Sequence, residues 1–182
     1  RQADTDKEKA QYINKRDDVL RSLRKYMGKL GLADVDLVAE NVIGTQGKDL
    51  SKKDFIVEGE FNDSDGRRII SLAMSLYDRN LSNTELEQRL QGVLNHEIIH
   101  AVKSLGLFTD AEYNSLVKAA MTRKYVVKDG KKLMERRYTY FDRAKSLYPN
   151  LKQEGVQEEA IAEMFRDAMD GKLKLAGRPK TL

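Results

Sequence analysis

The chain has 182 residues, 40% of them hydrophobic and 34% charged, the length of one ordinary domain with enough apolar material for a core and too much periodic patterning for a disordered polymer. It holds no cysteine, which excludes disulfide frameworks, thiolate metal centres and cysteine nucleophiles together. A net charge of +4 from 33 basic and 29 acidic residues is too mild and too mixed to argue for a nucleic-acid partner, and no apolar run approaches the roughly 18 residues of a membrane span, so a soluble protein is expected.

Along the chain, Ala10, Ile13, Leu20, Leu23, Met27 and Leu30 recur at three- and four-residue steps, which predicts an amphipathic helix over Asp6 to Leu30, closed by Gly31-Leu32. The period then changes to two. Val35 to Ile43 is β-rich, Phe55, Val57 and Phe61 alternate with Ile56, Glu58 and Glu60, and Ile70, Leu72, Met74 and Leu76 repeat the alternation after a turn signal at Asn62 to Gly66. Ser82 with Glu85 is a capping box, and the helix it opens can run to Leu105, where Gly106 stops it. Thr109 with Glu112 repeats the box, with Phe108 and Tyr113 placed as a hydrophobic staple. Helices over Leu133 to Leu147 and Gln157 to Met169 are predicted after a turn at Asp129-Gly130. One helix, three or four strands and then a helical second half predict an α+β fold. Residues 1–170 read as a single domain, and 171–182 as a flexible basic tail leading to a further domain of a longer polypeptide.

The chemistry is concentrated at His96-Glu97-Ile98-Ile99-His100. Residues four apart on a helix stand one above the other, so the two imidazoles can share one tetrahedral metal. Glu97 projects beside that metal, where it can take a proton from the water the metal activates. The chain has only two histidines and both lie in this motif. Two His and the chain's Glu residues scattered at random would produce it in on the order of one chain in a thousand. A catalytic zinc needs a third protein ligand. Positions 103 and 106 hold Lys and Gly, and with no further His or Cys the third ligand must be a carboxylate. The helix Glu158-Glu159-Ala160-Ile161-Ala162-Glu163 offers three.

His96 to His100 followed by Glu159-Ala160-Ile161-Ala162-Glu163 resembles the gluzincin type of zinc metallopeptidase. The resemblance implies a zincin-like fold, one Zn2+ per chain held by His96, His100 and Glu159, and Glu97 as general base. It also implies Glu163 as the carboxylate that accepts the free N–H of a ligating histidine, and Ala162 as the small residue that lets two helices approach. Glu158 is the alternative metal ligand, since a shift of one residue turns a helix by about 100°. Tyr138 and Tyr140 are candidate donors to the tetrahedral oxyanion. In zincin folds the strand before the metal helix lies at the sheet edge and pairs with extended substrate peptides; here that strand is Ile69 to Leu76, with small residues Ser71, Ala73 and Ser75 on one face.

More loosely, the stretch from Gly106 through Tyr138, Tyr140, Ala144 and Tyr148 to Glu159 is similar to peptidase-like domains embedded in large multi-domain (polyvalent) bacteriophage proteins. That implies a phage virion or host-cytoplasm setting and a peptide or protein substrate. Two other classes compete with the enzyme. One is a catalytically inactive module in which zinc clips two helices together. The other is nucleic-acid binding through Arg123-Lys124, Lys131-Lys132 and Arg136-Arg137, although these lie among acidic residues and read first as a solvated face.

Overall fold

The computed structural model describes residues 2–40, 58–64, 66–73 and 81–174. Among them are five helices and two small sheets, in a mixed α+β arrangement. The chain divides into two compact units, 1–94 and 95–182.

The first unit begins with α1 (Gln2–Lys29), which starts earlier than the apolar period alone suggests. Its exit is set by Gly31, whose φ of 77° lets Leu32 N–H reach back to the Met27 carbonyl at 3.0 Å. Leu20, Leu23 and Met27 face inward and are buried. Three strands follow: β1 (Asp36–Glu40), β2 (Gly59–Ser64) and β3 (Arg67–Ala73). The Arg24 guanidinium donates to the Leu37 carbonyl at 2.9 Å, which ties α1 to β1. The predicted turn at Asn62 to Gly66 is tighter than expected, because β2 continues through Ser64 before Gly66 turns with φ 72°. Phe55 and Val57, the expected end of the first strand at Val42 and Ile43, and Met74 to Leu76 lie outside the described residues.

The sheet order is β1-β3-β2, with β3 parallel to β1 and antiparallel to β2. This corrects the expectation of a substrate-pairing edge. Ser71 of β3 stands opposite Val38 on one side and Glu60 on the other, so both sides of the strand are occupied by neighbours and no peptide can add there. The apolar composition of Ile70, Leu72 and Ala73, all buried, is that of a central strand covered on both faces. Helix α2 (Asn83–Ser104) opens on the Ser82 box, in which Ser82 Oγ accepts from Glu85 N–H and Glu85 accepts from Ser82 N–H. The unit boundary falls within α2, after Leu94.

The second unit takes in the rest of α2, then α3 (Asp110–Thr122), a hairpin of β4 (Lys124–Asp129) and β5 (Lys132–Thr139), α4 (Tyr140–Leu147) and α5 (Gln153–Met169). Gly106, at φ 66°, ends α2, with Leu107 N–H bonded to Val102 and Gly106 N–H to Lys103. The second half is therefore not wholly helical. The predicted helix over Leu133 to Leu147 is a strand as far as Thr139, and only its latter half is helical. The physical reason is local: a two-residue loop with Gly130 at φ 58° brings Lys132 opposite Asp129, and a fresh capping box, Thr139 with Asp142, starts the helix at Tyr140. Helix α5 starts a turn earlier than predicted, through Gly155. The core of this unit gathers Ile99 of α2, Ala120 of α3, Tyr140 and Ala144 of α4, and Val156, Ala160, Ile161, Ala162 and Met164 of α5. Small residues on α4 and α5 permit that close packing, and Ile99 carries the metal-motif stretch of α2 into it.

Candidate metal centre

With Ile99 committed to the core, the residues flanking its face on α2 present His96 and His100 together; their rings stand 5.2 Å apart, centroid to centroid. Opposite them, Glu158, Glu159 and Glu163 project from the first turns of α5, whose buried face is Ala160, Ile161 and Met164. His96 Nε2 lies 3.3 Å from one oxygen of Glu159 and His100 Nε2 lies 3.8 Å from the other. Ligand atoms on a tetrahedral metal with bonds near 2.0–2.1 Å are separated by about 3.4 Å. Thus His96, His100 and Glu159, each offering one atom within 4.8 Å of the others, could hold a metal ion.

The other ring nitrogens face carboxylates as well. His100 Nδ1 is 2.7 Å from Glu158 Oε1. Because an ionised carboxylate can only accept, Nδ1 donates to Glu158, which leaves Nε2, toward Glu159, as the nitrogen that can offer a lone pair to a metal. Glu158 also pairs with Lys103 Nζ. His96 Nδ1 stands farther off, 3.7 Å from Glu163 Oε1. The structure thus puts Glu159 between the two Nε2 atoms, and Glu158 and Glu163 behind the rings.

The charge balance agrees with a cation site. Burial works to lower the His96 imidazole, but Glu159, reinforced by Glu97 and Glu163, outweighs it and holds the ring above its ordinary value. Burial works to raise Glu159, and His96 and His100 outweigh it in turn, so that carboxyl is lowered. Glu158 is likewise lowered: burial is overcome by its hydrogen bonds to His100 and Lys103. Even so, Glu159 Oε2 and His96 Nδ1 are buried with no hydrogen-bond partner. Glu159 Oε2 lies 3.3 Å from His96 Nε2 with no hydrogen bond between them, as when both face a common point with His100 Nε2, whereas His96 Nδ1, on the far side of its ring, is 3.7 Å from Glu163 and out of reach. A buried oxygen without a partner costs about 1–3 kcal/mol, and a metal at that point would satisfy it.

Glu97 is buried beside His96 and close enough to influence both His96 and Tyr148 electrostatically. The two tyrosines singled out from the sequence are engaged elsewhere. Tyr140 is fully buried and donates to Asp167 Oδ2 at 2.9 Å. Tyr138 is on β5, its ring stacked on Tyr125 at 5.8 Å. The tyrosine at the centre is Tyr148, at the end of α4: it is hydrogen-bonded to Glu159, and burial together with Glu159 and Glu163 raises its hydroxyl. Nothing in the sequence separates Tyr148 from the other tyrosines, because its proximity to Glu159 arises only when α4 packs on α5.

No family model, curated protein or solved structure matches this chain.

Proposed function

We propose that this protein is a zinc-dependent endopeptidase of the gluzincin type. The observation that carries the reading is the orientation of the motif histidines: both Nε2 atoms face the carboxylate of Glu159 while both Nδ1 atoms face further carboxylates. Ligating histidines are held in this way, because a carboxylate behind the ring fixes the tautomer and raises ligand basicity. Three protein ligands match the catalytic type of zinc centre, in which the fourth position is taken by water.

Zinc held by His96, His100 and Glu159 would supply Lewis acidity, polarising a peptide carbonyl and making water a nucleophile near neutral pH. Glu97 accepts the proton of the attacking water and returns it to the leaving amine. Glu158, hydrogen-bonded to Nδ1, keeps His100 in the ligating tautomer, Glu163 faces His96 Nδ1 from 3.7 Å, and Tyr148 hydrogen-bonds the Glu159 carboxylate. The resemblance to peptidase-like domains of large bacteriophage proteins extends the proposal to a module of a longer phage polypeptide that acts on a protein substrate.

Glu97→Gln tests the assignment. It should retain about one zinc per chain after dialysis while losing at least 100-fold in peptide cleavage, the lower range for a general base. Cleavage by this variant at the parental rate would refute the role of Glu97. Absence of zinc from the parent after metal is added back would refute the centre itself.

A further inference from the structure

The β4–β5 hairpin has no part in the metal centre. Residues 123–139 hold seven basic residues and two acidic ones, a local charge of +5 in a chain whose total is +4. Folding into a hairpin concentrates them. Lys124 stands opposite Thr139 and its Nζ donates to the Arg137 carbonyl at 3.0 Å, which brings the first and last basic pairs together. Lys131 lies in the loop and Lys128 pairs across from Leu133. Residues 131–138 are all exposed, including Leu133 at 50%, Met134 at 40% and Tyr138 at 39%. Over the regular part of β5, Lys132 and Met134 share one face with Leu133 and Glu135 on the other; between Glu135 and Thr139 the pairing with β4 is interrupted by a bulge, which carries Arg136, Arg137 and Tyr138.

Tyr138 is the outer member of a series of three packed aromatic rings. Buried Tyr140 meets Tyr125 edge-on at 5.2 Å, and Tyr125 stacks on Tyr138 at an interplanar angle of 15°. The series ends in a ring held from within and exposed to solvent. A strand repeats every two residues at about 6.7 Å, so Lys132 and Met134 stand side by side on one face of the regular part of the hairpin.

We propose that this hairpin binds single-stranded nucleic acid, with Lys131, Lys132 and Arg136 on the phosphate backbone and a base stacked on Tyr138. Positive charge supplies the backbone attraction, and an exposed aromatic ring beside it is what distinguishes a single-strand platform from a merely basic surface. The proposal is independent of the zinc centre.

The test is anisotropy of a fluorescein-labelled 15-mer of thymidylate titrated with the full chain across a salt series. Three or four phosphate contacts predict a slope of log K on log salt of about −2 to −3. Lys132→Glu combined with Arg136→Glu should weaken binding more than tenfold and reduce that slope by about 1.4. Tyr138→Ala should weaken it about 5- to 150-fold. The same charge reversal at exposed positions of α1, Lys25→Glu with Lys29→Glu, should change binding less than threefold. All of these positions are exposed, and circular dichroism checks each variant for folding. No binding at low salt, equal effects of the hairpin and α1 reversals, or an unaffected Tyr138→Ala variant would each overturn the proposal. So would binding to phosphatidylserine vesicles without binding to the oligonucleotide.

Discussion

Replacing Glu158 by Gln separates a carboxylate that positions a ligand from one that is a ligand. Glu158 Oε1 is 2.7 Å from His100 Nδ1 and its other oxygen pairs with Lys103. A glutamine side chain has nearly the same shape but one carbonyl oxygen. If that oxygen accepts from His100, the amide group confronts the Lys103 ammonium; if the side chain turns over, His100 loses its acceptor. Either way one of two charge-assisted bonds is lost. Carboxylates behind metal-bound histidines contribute 10- to 100-fold in metal affinity, or about 1.4–2.7 kcal/mol. With both partners disturbed, Glu158→Gln should lie in the upper half of that range. Glu163→Gln should cost less than tenfold, because Glu163 stands 3.7 Å from His96 Nδ1, beyond a direct hydrogen bond. The assay is competition for zinc against a chromogenic chelator, with thermal unfolding of the metal-free proteins as the folding control. A larger loss for Glu163→Gln than for Glu158→Gln would refute the reasoning. If Glu158→Gln abolished zinc binding while Glu159→Gln retained it, Glu158 would be the ligand after all.

Two further outcomes concern the framework around the centre. Tyr140→Phe removes a buried hydrogen bond to Asp167, which is only 1% exposed and also receives Lys172 Nζ at 2.6 Å. It should lower unfolding stability by about 1.5–3 kcal/mol in urea denaturation, and a loss below about 0.5 kcal/mol would show that Lys172 alone satisfies the carboxylate. The α3 cap gives a pH signature. The hydrogen bonds from the Thr109 backbone and hydroxyl hold the exposed Glu112 carboxyl below its ordinary value of 4.5. A depressed folded pKa means the unfolded chain binds the proton more readily, so this contribution is present above about pH 4.5 and is lost as pH falls through the folded value. The stability difference between parent and Thr109→Ala should therefore be larger at about pH 6 than at about pH 3, and a difference that grows on acidification would contradict the cap.

What the sequence alone determined follows from short-range rules. The motif His96 to His100 needs only a helix to bring its two imidazoles to one side, and the capping boxes at Ser82 and Thr109 and the stop at Gly106 specify that helix and the next within a few residues. That the third ligand is a carboxylate was legible too, since the chain has no other His or Cys, and the resemblance of Glu159-Ala160-Ile161-Ala162-Glu163 to the gluzincin pattern pointed to this cluster among the chain's carboxylates. Even the start of α4 was within reach, in the spacing of Thr139 and Asp142; helical periodicity read across Leu133 to Thr139 concealed it.

Tertiary structure decided the rest, because those facts depend on pairs of residues far apart in the chain. Which of two adjacent glutamates faces both Nε2 atoms is a question of how α5 is rotated about its axis, and the burial of Ala160, Ile161 and Met164 fixes that rotation. The same packing gives Glu158 to His100 and Lys103, and brings Tyr148 rather than Tyr138 or Tyr140 to Glu159. Strand β3 reads the same in sequence whether central or at an edge, and only its pairing with both β1 and β2 removes it from the substrate role. A local pattern specifies a helix or a strand and the face it must bury. The partner that covers that face is chosen by the packing of the whole unit, and in this protein that packing set the positions of Glu158, Glu159 and Tyr148 around the two histidines.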